Sequence, residues 1–413
     1  MEGKPMFIPT TIADQYQQAA SDNLRILVVG AGIAGITAAQ LLRRAGHRPV
    51  LIERAEDGKH PGYMLALMPM ADGALDELGV REAYRAASVP FHDYAMRGHT
   101  GRLLRVDSMT RILQRYGDYR GISRGALIEV LTSGGCAVTL GTTVGAVTET
   151  AEGVRIRMSE RGHVRELDFD LVLIADGINS STRELIPSAR PVEVVDTQWG
   201  GWVVWAPAHA VPAQRGEELW GVGRFAGLYP VAGAVGVFLG GPRADTAAGA
   251  AAFVEQFRRT LTVVDPPIEA ALSAVADDPD PYYWSLTDCR SAAWTTSRTV
   301  LLGDAAAGFL PTAGIGAGMA MESAWVLCRL LRHAHRENLA DVLSAYERTQ
   351  RPRVEAAQDN SRGLARLVFR RSRALAVLRE LAMRIASVDV AIKPIQRLLA
   401  DQPKPDEIAA SVG

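Results

Sequence analysis

The chain has 413 residues, in which 45 lysines and arginines balance 46 aspartates and glutamates, so nothing in the net charge calls for a nucleic-acid or membrane-surface partner for the whole molecule. That length exceeds one ordinary domain, so a main domain with a second, smaller one is expected, and the expected ligand is a small molecule. Cys136, Cys289 and Cys328 are scattered, with no Cys-x-x-Cys pair and no zinc-type His spacing, which excludes a disulfide framework and fits a reducing cytoplasm.

Residues 1–23 break any apolar run with polar and acidic positions, unlike a signal peptide, and no later run approaches the length of a membrane span. This extension is expected to be a surface arm or lid. Residues 24–29 form an apolar run interrupted only by Arg25, the pattern of a strand buried on both faces of a parallel sheet. The turn Gly30-Ala31-Gly32-Ile33-Ala34-Gly35 follows at once. Residues 33–45 carry small and branched apolar side chains at helical spacing, Gly46 suits a helix C-terminus, and residues 48–53 read as the second strand. A G-x-G-x-x-G turn inside a βαβ unit of about thirty residues is a dinucleotide fingerprint. Its glycines permit a tight turn, close approach of a pyrophosphate and close packing of helix on strand, and the helix N-terminus offers free N–H groups to phosphate. Glu53, about twenty residues on, is placed to accept from ribose hydroxyls, which favours FAD or NAD over NADP; Arg54 beside it joins the expected cofactor set.

Further along, residues 171–175 and 299–302 read as two more buried strands returning to the same sheet. Between them, residues 192–241 alternate aromatic and small residues with Gly and Pro, the texture of antiparallel sheet. Helices are expected from about residue 319 to 333 and from 339 onward. Residues 361–386 combine seven arginines with an apolar stripe as one basic amphipathic helix, expected to pack on its own domain with its basic face in solvent. There are no internal repeats and no long low-complexity linker.

Residues 170–183 (DLVLIADGINSSTR) and 300–306 (VLLGDAA) resemble the second and third motifs of the class A flavin monooxygenases, the para-hydroxybenzoate hydroxylase group, and with the first loop they stand in that family's order and spacing. The resemblance implies an α/β fold. A Rossmann-like, discontinuous FAD-binding domain (24–85, 119–188 and 296–345) would be interrupted by an antiparallel β-rich substrate domain (86–118 and 189–295), with a C-terminal helical region (346–413). It implies that Asp304 bonds the ribityl chain, that Asp176 and Gly177 support the pyrophosphate and the approach of the reductant, and that Arg124 lies near the flavin phosphates and ribose. Pro311, Gly314, Gly316, Ala317 and Gly318 would face the pyrimidine end of the flavin, where N–H groups stabilise negative charge. Three departures from the family pattern, Ala307, Ile315 and Gly318, are expected to alter the substrate-side environment above the ring.

The family chemistry implied is reduction of FAD by NADH or NADPH, capture of dioxygen and transfer of one oxygen atom to a small aromatic or polyketide-like substrate. The cofactor carries the hard step, so the missing Ser-His-Asp or metal constellation is no objection. Trp202, Trp205, Trp220, Arg224, Tyr229, Phe309 and Pro311 are the candidate substrate-lining residues, with His92 and Tyr94 on a neighbouring segment; no catalytic base is assigned. A homodimer is compatible with the sequence. Three other readings stay open: a flavin-dependent halogenase, an oxygen-independent flavin reductase, and a non-catalytic flavoprotein that binds a reactive intermediate. The halogenase is disfavoured, since Trp202, Trp205 and Pro207 have the wrong spacing for its Trp-x-Trp-x-Ile-Pro signature and only Lys59 is available to match its lysine.

Overall fold

The computed structural model describes residues 7–57, 62–385 and 387–410. Four apolar runs make a parallel sheet in the order Thr299–Leu301, Leu171–Ile174, Ile26–Val29, Val50–Ile52. Every residue in them is buried, because helices or loops cover both faces and leave no place for a polar alternation. Helix Ile33–Arg44 connects the first two strands in sequence and packs against helix Gly316–Leu331. A three-stranded meander, Thr142–Glu149, Val154–Glu160 and His163–Phe169, precedes the strand Leu171–Ile174.

The expected surface arm proves to be part of the fold, as far as residues 7–23 are concerned. Ile8–Pro9 pairs in parallel with Ala137–Val138, and helix Ile12–Gln18 buries Ile12 completely. The Gln15 side chain accepts from Leu51 N–H and donates to Leu51 C=O, both at 3.0 Å, so it serves the sheet as an extra strand would.

The second body is an eight-stranded sheet ordered Ala307–Gly308, Tyr282–Ser291, Val192–Pro207, Ala234–Pro242, Phe225–Val231, Arg215–Trp220, Asp93–Arg97, Leu103–Ser108. All neighbours are antiparallel except Arg215–Trp220 with Asp93–Arg97. Helices Ala250–Thr260 and Pro266–Asp277 seal one face with Phe253, Phe257, Ile268 and Leu272. Strand Met64–Leu67, paired with Arg120–Ser123, crosses the opposite face, and Met64 packs beside Gly236. The helices at the C-terminal end differ from the sequence reading. The single basic helix over 361–386 is divided: the 30-residue helix Leu339–Val368 takes in its first part, residues 369–372 turn the chain, and Arg373–Ile385 is a separate helix. Among the described residues no helix is long and apolar enough to cross a membrane.

Candidate active site

The glycine loop sits at the C-terminal end of the central parallel strand. Gly30 has φ +101° and a Cβ there would lie 2.6 Å from the Ala175 carbonyl oxygen; a Cβ on Gly35 would lie 1.9 Å from the Gly30 oxygen. These two glycines are demanded by backbone contact. Gly32 is different, since a Cβ there would meet nothing within 4 Å. The open space is where a pyrophosphate would approach the helix N-terminus. Ile36 N–H makes the first intrahelical bond, to Gly32, so the N–H groups of Ile33, Ala34 and Gly35 have no helical partner. The Glu53 carboxylate accepts from Ala31 N–H at 2.7 Å and Ala55 N–H at 2.9 Å, so it holds the loop in shape and keeps a lone pair on each oxygen for a ribose. Arg54 beside it is exposed.

Asp176 is occupied within its own turn, where it accepts from the Ser180 hydroxyl and from Thr182 N–H at 3.2 Å. The last residue of that motif, Arg183, is the one that sequence reasoning passed over. Its buried guanidinium donates to Ala305 C=O at 3.0 Å and Ile178 C=O at 3.1 Å, which ties the second motif to the third.

Asp304 is surrounded by protein yet keeps an exposed side chain, a combination that describes a group projecting into an internal cleft. Burial pushes its carboxyl up to about 6, and no described residue donates to its oxygens. Tyr63 and Arg124 line the same cleft: Arg124 N–H donates to Tyr63 C=O at 2.8 Å, and its guanidinium lies 5.8 Å from the Tyr63 ring centre. Burial pushes the Tyr63 hydroxyl up, Arg124 opposes that, and the Asp304 charge adds to it.

Pro311–Ala313 and Gly314, at φ +63°, lead into helix Gly316–Leu331, whose first internal bond runs from Met319 N–H to Ile315 C=O. The N–H groups of Gly316, Ala317 and Gly318 thus stand free of helical partners at the cleft. Of the three departures from the family pattern, Ala307 lines the small cavity beside Asp304, Phe309 and Gly316, Ile315 is buried, and a Cβ on Gly318 would strike Met70 at 2.8 Å. A separate cleft of about 310 Å³ among Gln15, Arg43, His47 and Arg48 lies at the opposite end of the parallel strands and has no part in this site.

Register sorts the substrate candidates. Trp202 pairs with Leu239 and lies on the helix-covered face against Phe253 and Tyr283, so it is core. Arg224 also belongs to that side, 5.4 Å above the Phe253 ring and paired with Asp245 at 3.6 Å. Both are corrections: the two-residue period of the strand sends Val203 and Trp205 one way and Trp202 the other, while Arg224 stands in the turn between strands Arg215–Trp220 and Phe225–Val231, where Asp245 and the Phe253 ring hold it. Trp205, Trp220 and Tyr229 are on the cleft face, with Tyr94 and Phe238. Phe309 is partly buried beside Gly316 and Asp304, Pro311 is half-buried, and His92 is an exposed loop residue. Lys59 lies outside the described residues.

A residue missed entirely from sequence is Glu218. Its carboxylate accepts from Trp220 Nε1 at 2.7 Å, from the Tyr229 hydroxyl at 2.5 Å and from Tyr94. Burial pushes its pKa up, against the downward pull of those bonds, and no cation among the described residues pairs with it. Its signal was weak, since an acid in an alternating strand ordinarily reads as a solvent-facing position. No group of three or more His, Cys, Asp or Glu among the described residues is placed to hold a metal.

The residues present fit FAD. Gly32 leaves a cradle that a Cβ would fill, and the unpartnered Asp304 carboxylate looks into the cleft. Comparison with known proteins agrees. A family model described as FAD binding domain matches residues 23–361. The 3-amino-4-hydroxybenzoate 2-monooxygenase of Streptomyces cremeus is 32% identical, covering 83% of this chain and 87% of its own length. The 2-heptyl-3-hydroxy-4(1H)-quinolone synthase of Pseudomonas aeruginosa is 27% identical over 83% and 89%. The crystal structure of Klebsiella pneumoniae HpxO complexed with FAD and uric acid superposes with a TM-score of 0.82 at 21% identity, covering 93% of this chain and 99% of that one.

Proposed function

The chain belongs to the FAD binding domain family, among the class A flavin monooxygenases of the para-hydroxybenzoate hydroxylase group, and from that premise we propose that its substrate is a planar, uncharged aromatic metabolite. The protein is an FAD-dependent monooxygenase, and the halogenase, reductase and non-catalytic readings find no counterpart among these relatives. When bound, FAD supplies the chemistry: it takes two electrons from NADH or NADPH and passes one atom of dioxygen to the substrate, the other leaving as water.

The protein's own task is to hold the two reactants and exclude water. The N–H groups of residues 33–35, with Glu53 beneath them, suit the pyrophosphate and adenosine ribose. Asp304 and Arg124 suit the ribityl chain and phosphates, and the first turn of helix Gly316–Leu331 suits the pyrimidine edge.

The observation that carries the substrate class is the paving of the cleft face. Phe238 lies against Gly201 and Gly240, Tyr229 against Gly227 and Tyr94 against Gly216, so broad rings lie where these strands lack side chains. A flat aromatic ligand has a matching surface there. Glu218, a buried acid without a cation, favours an uncharged ligand with an N–H or O–H donor over a benzoate. The deciding experiment follows NADH and NADPH oxidation in air by the FAD-loaded protein, with quinolone, phenolic and aminohydroxybenzoate candidates, and reads the products by mass. Acceleration by a neutral quinolone or phenol, with gain of one oxygen atom, supports the reading. A strict preference for the aminohydroxybenzoate sinks the substrate class and leaves the monooxygenase intact.

A further inference from the structure

Helix Arg373–Ile385 is built inside out. At about 100° per residue, one side of it carries Ala376, Arg379, Glu380 and Met383, and this is the side turned to the protein. Arg379 donates to the carbonyls of Trp220 and Gly221, and Glu380 accepts from the backbone N–H and Nδ1 of His99, both at 2.5 Å. The opposite side carries Ala374, Leu375, Val377, Leu378, Leu381 and Ala382, all exposed; Leu378 and Leu381 leave 61% and 56% of their surface to solvent. A surface helix ordinarily turns its apolar stripe to the core. Here the core takes the polar side, and the apolar side is left without a partner among the described residues.

The charge around this face has one sign. Arg366, Arg370, Arg371, Arg373 and Arg384 are exposed, and the one acid across residues 360–388 is Glu380, which is turned inward. Of these arginines only Arg371 has a carboxylate near it among the described residues, Asp245 at 3.7 Å. A twofold contact with a second copy would set this rim against its own counterpart, which like charges oppose. An apolar ridge rimmed by arginine complements a surface that is apolar inside and anionic outside.

We propose that this helix docks the enzyme on an anionic lipid surface, its leucines entering the headgroup boundary and its arginines meeting the phosphates. The placement bears on access to the cleft. The same helix rests on strand Leu103–Ser108 and on Trp220, whose indole holds Glu218, so docking puts that end of the substrate face beside the lipid.

The test uses the FAD-loaded full chain and sedimentation with two kinds of vesicle, phosphatidylcholine alone and phosphatidylcholine with phosphatidylglycerol in equal parts. The protein is expected to bind the mixed vesicles, less so as salt rises, and to ignore the neutral ones. The Leu378→Asp/Leu381→Asp variant is expected to lose binding. The Arg373→Gln/Arg384→Gln variant should bind roughly thirtyfold more weakly, from two charges near the surface. Both should keep their FAD content and melting temperature, because all four side chains point away from the fold. The proposal is overturned if the unaltered protein stays in solution with mixed vesicles, or if the leucine variant binds them equally well. It is also overturned if sedimentation velocity shows a dimer that the leucine variant dissolves and vesicles play no part, which assigns the face to a second copy.

Discussion

Replacing Gly32 by Ala separates a glycine needed for folding from one needed for a ligand. Its φ of −79° and ψ of −176° suit any residue, and its Cβ would meet nothing within 4 Å. The cost to the FAD-free protein is then at most the loss of a glycine N-cap, about 1 kcal/mol or less. For FAD the methyl stands in the approach to the helix N-terminus. Pushing a pyrophosphate back by about 1 Å breaks one or two charge-assisted N–H bonds, about 2–4 kcal/mol, or roughly 30- to 1,000-fold in Kd. Quenching of flavin fluorescence gives the Kd, and thermal melting of the FAD-free protein gives the stability. Gly35→Ala is the contrast, since its Cβ would lie 1.9 Å from a backbone oxygen and must damage folding and binding together. A Gly32→Ala protein that binds FAD as tightly as the unaltered one would show that the open space above Gly32 is not the phosphate path.

Other outcomes follow from the same geometry. Trp202→Ala is expected to lose about 3–5 kcal/mol in urea unfolding with little change in substrate KM, whereas Trp205→Ala, 38% exposed on the cleft face, should cost clearly less stability than that and raise KM; the reverse pattern would mean the strand's faces are misassigned. Glu218→Gln sets a donor against Trp220 or Tyr229, so KM should rise roughly 5- to 150-fold for about 1–3 kcal/mol while FAD content stays unchanged. A fall in FAD content with constant KM would remove Glu218 from the substrate side. With Asp304 pushed up to about 6 from 3.8, the folded FAD-free protein holds a proton that the unfolded chain releases. Its stability should therefore fall as pH rises from about 4 to 6, with no penalty below that window and the full penalty above it. Asp304→Asn should flatten this part of the melting-versus-pH profile, and an unchanged profile would place the titration elsewhere.

The nucleotide half was legible because its determinants are local. A strand buried on both faces must be apolar throughout, a turn at φ +101° must be glycine, and a helix beginning just after it must present free N–H groups to whatever lies above. Residues 24–35 carry all three signals within a dozen positions. The N-terminal segment was misread for the opposite reason, since its polar Gln15 is matched to Leu51, 36 positions away, and no local pattern announces such a bond. The basic stretch over 361–386 was legible as amphipathic, but the break after Val368 and the inward turn of Arg379 answer to carbonyls of a distant strand.

What the sequence determined by itself was the dinucleotide loop, the strands on either side of it and the three motifs in order, because each is set by short-range sterics and by an unbroken apolar run. Only the tertiary structure decided which side of the eight-stranded sheet faces the cleft. Alternation tells that Trp202 and Trp205 point apart, but not which of them meets the helices. That choice rests on Phe253 and Phe257 arriving from another part of the chain to cover one face, leaving Tyr229, Tyr94 and Glu218 to the other.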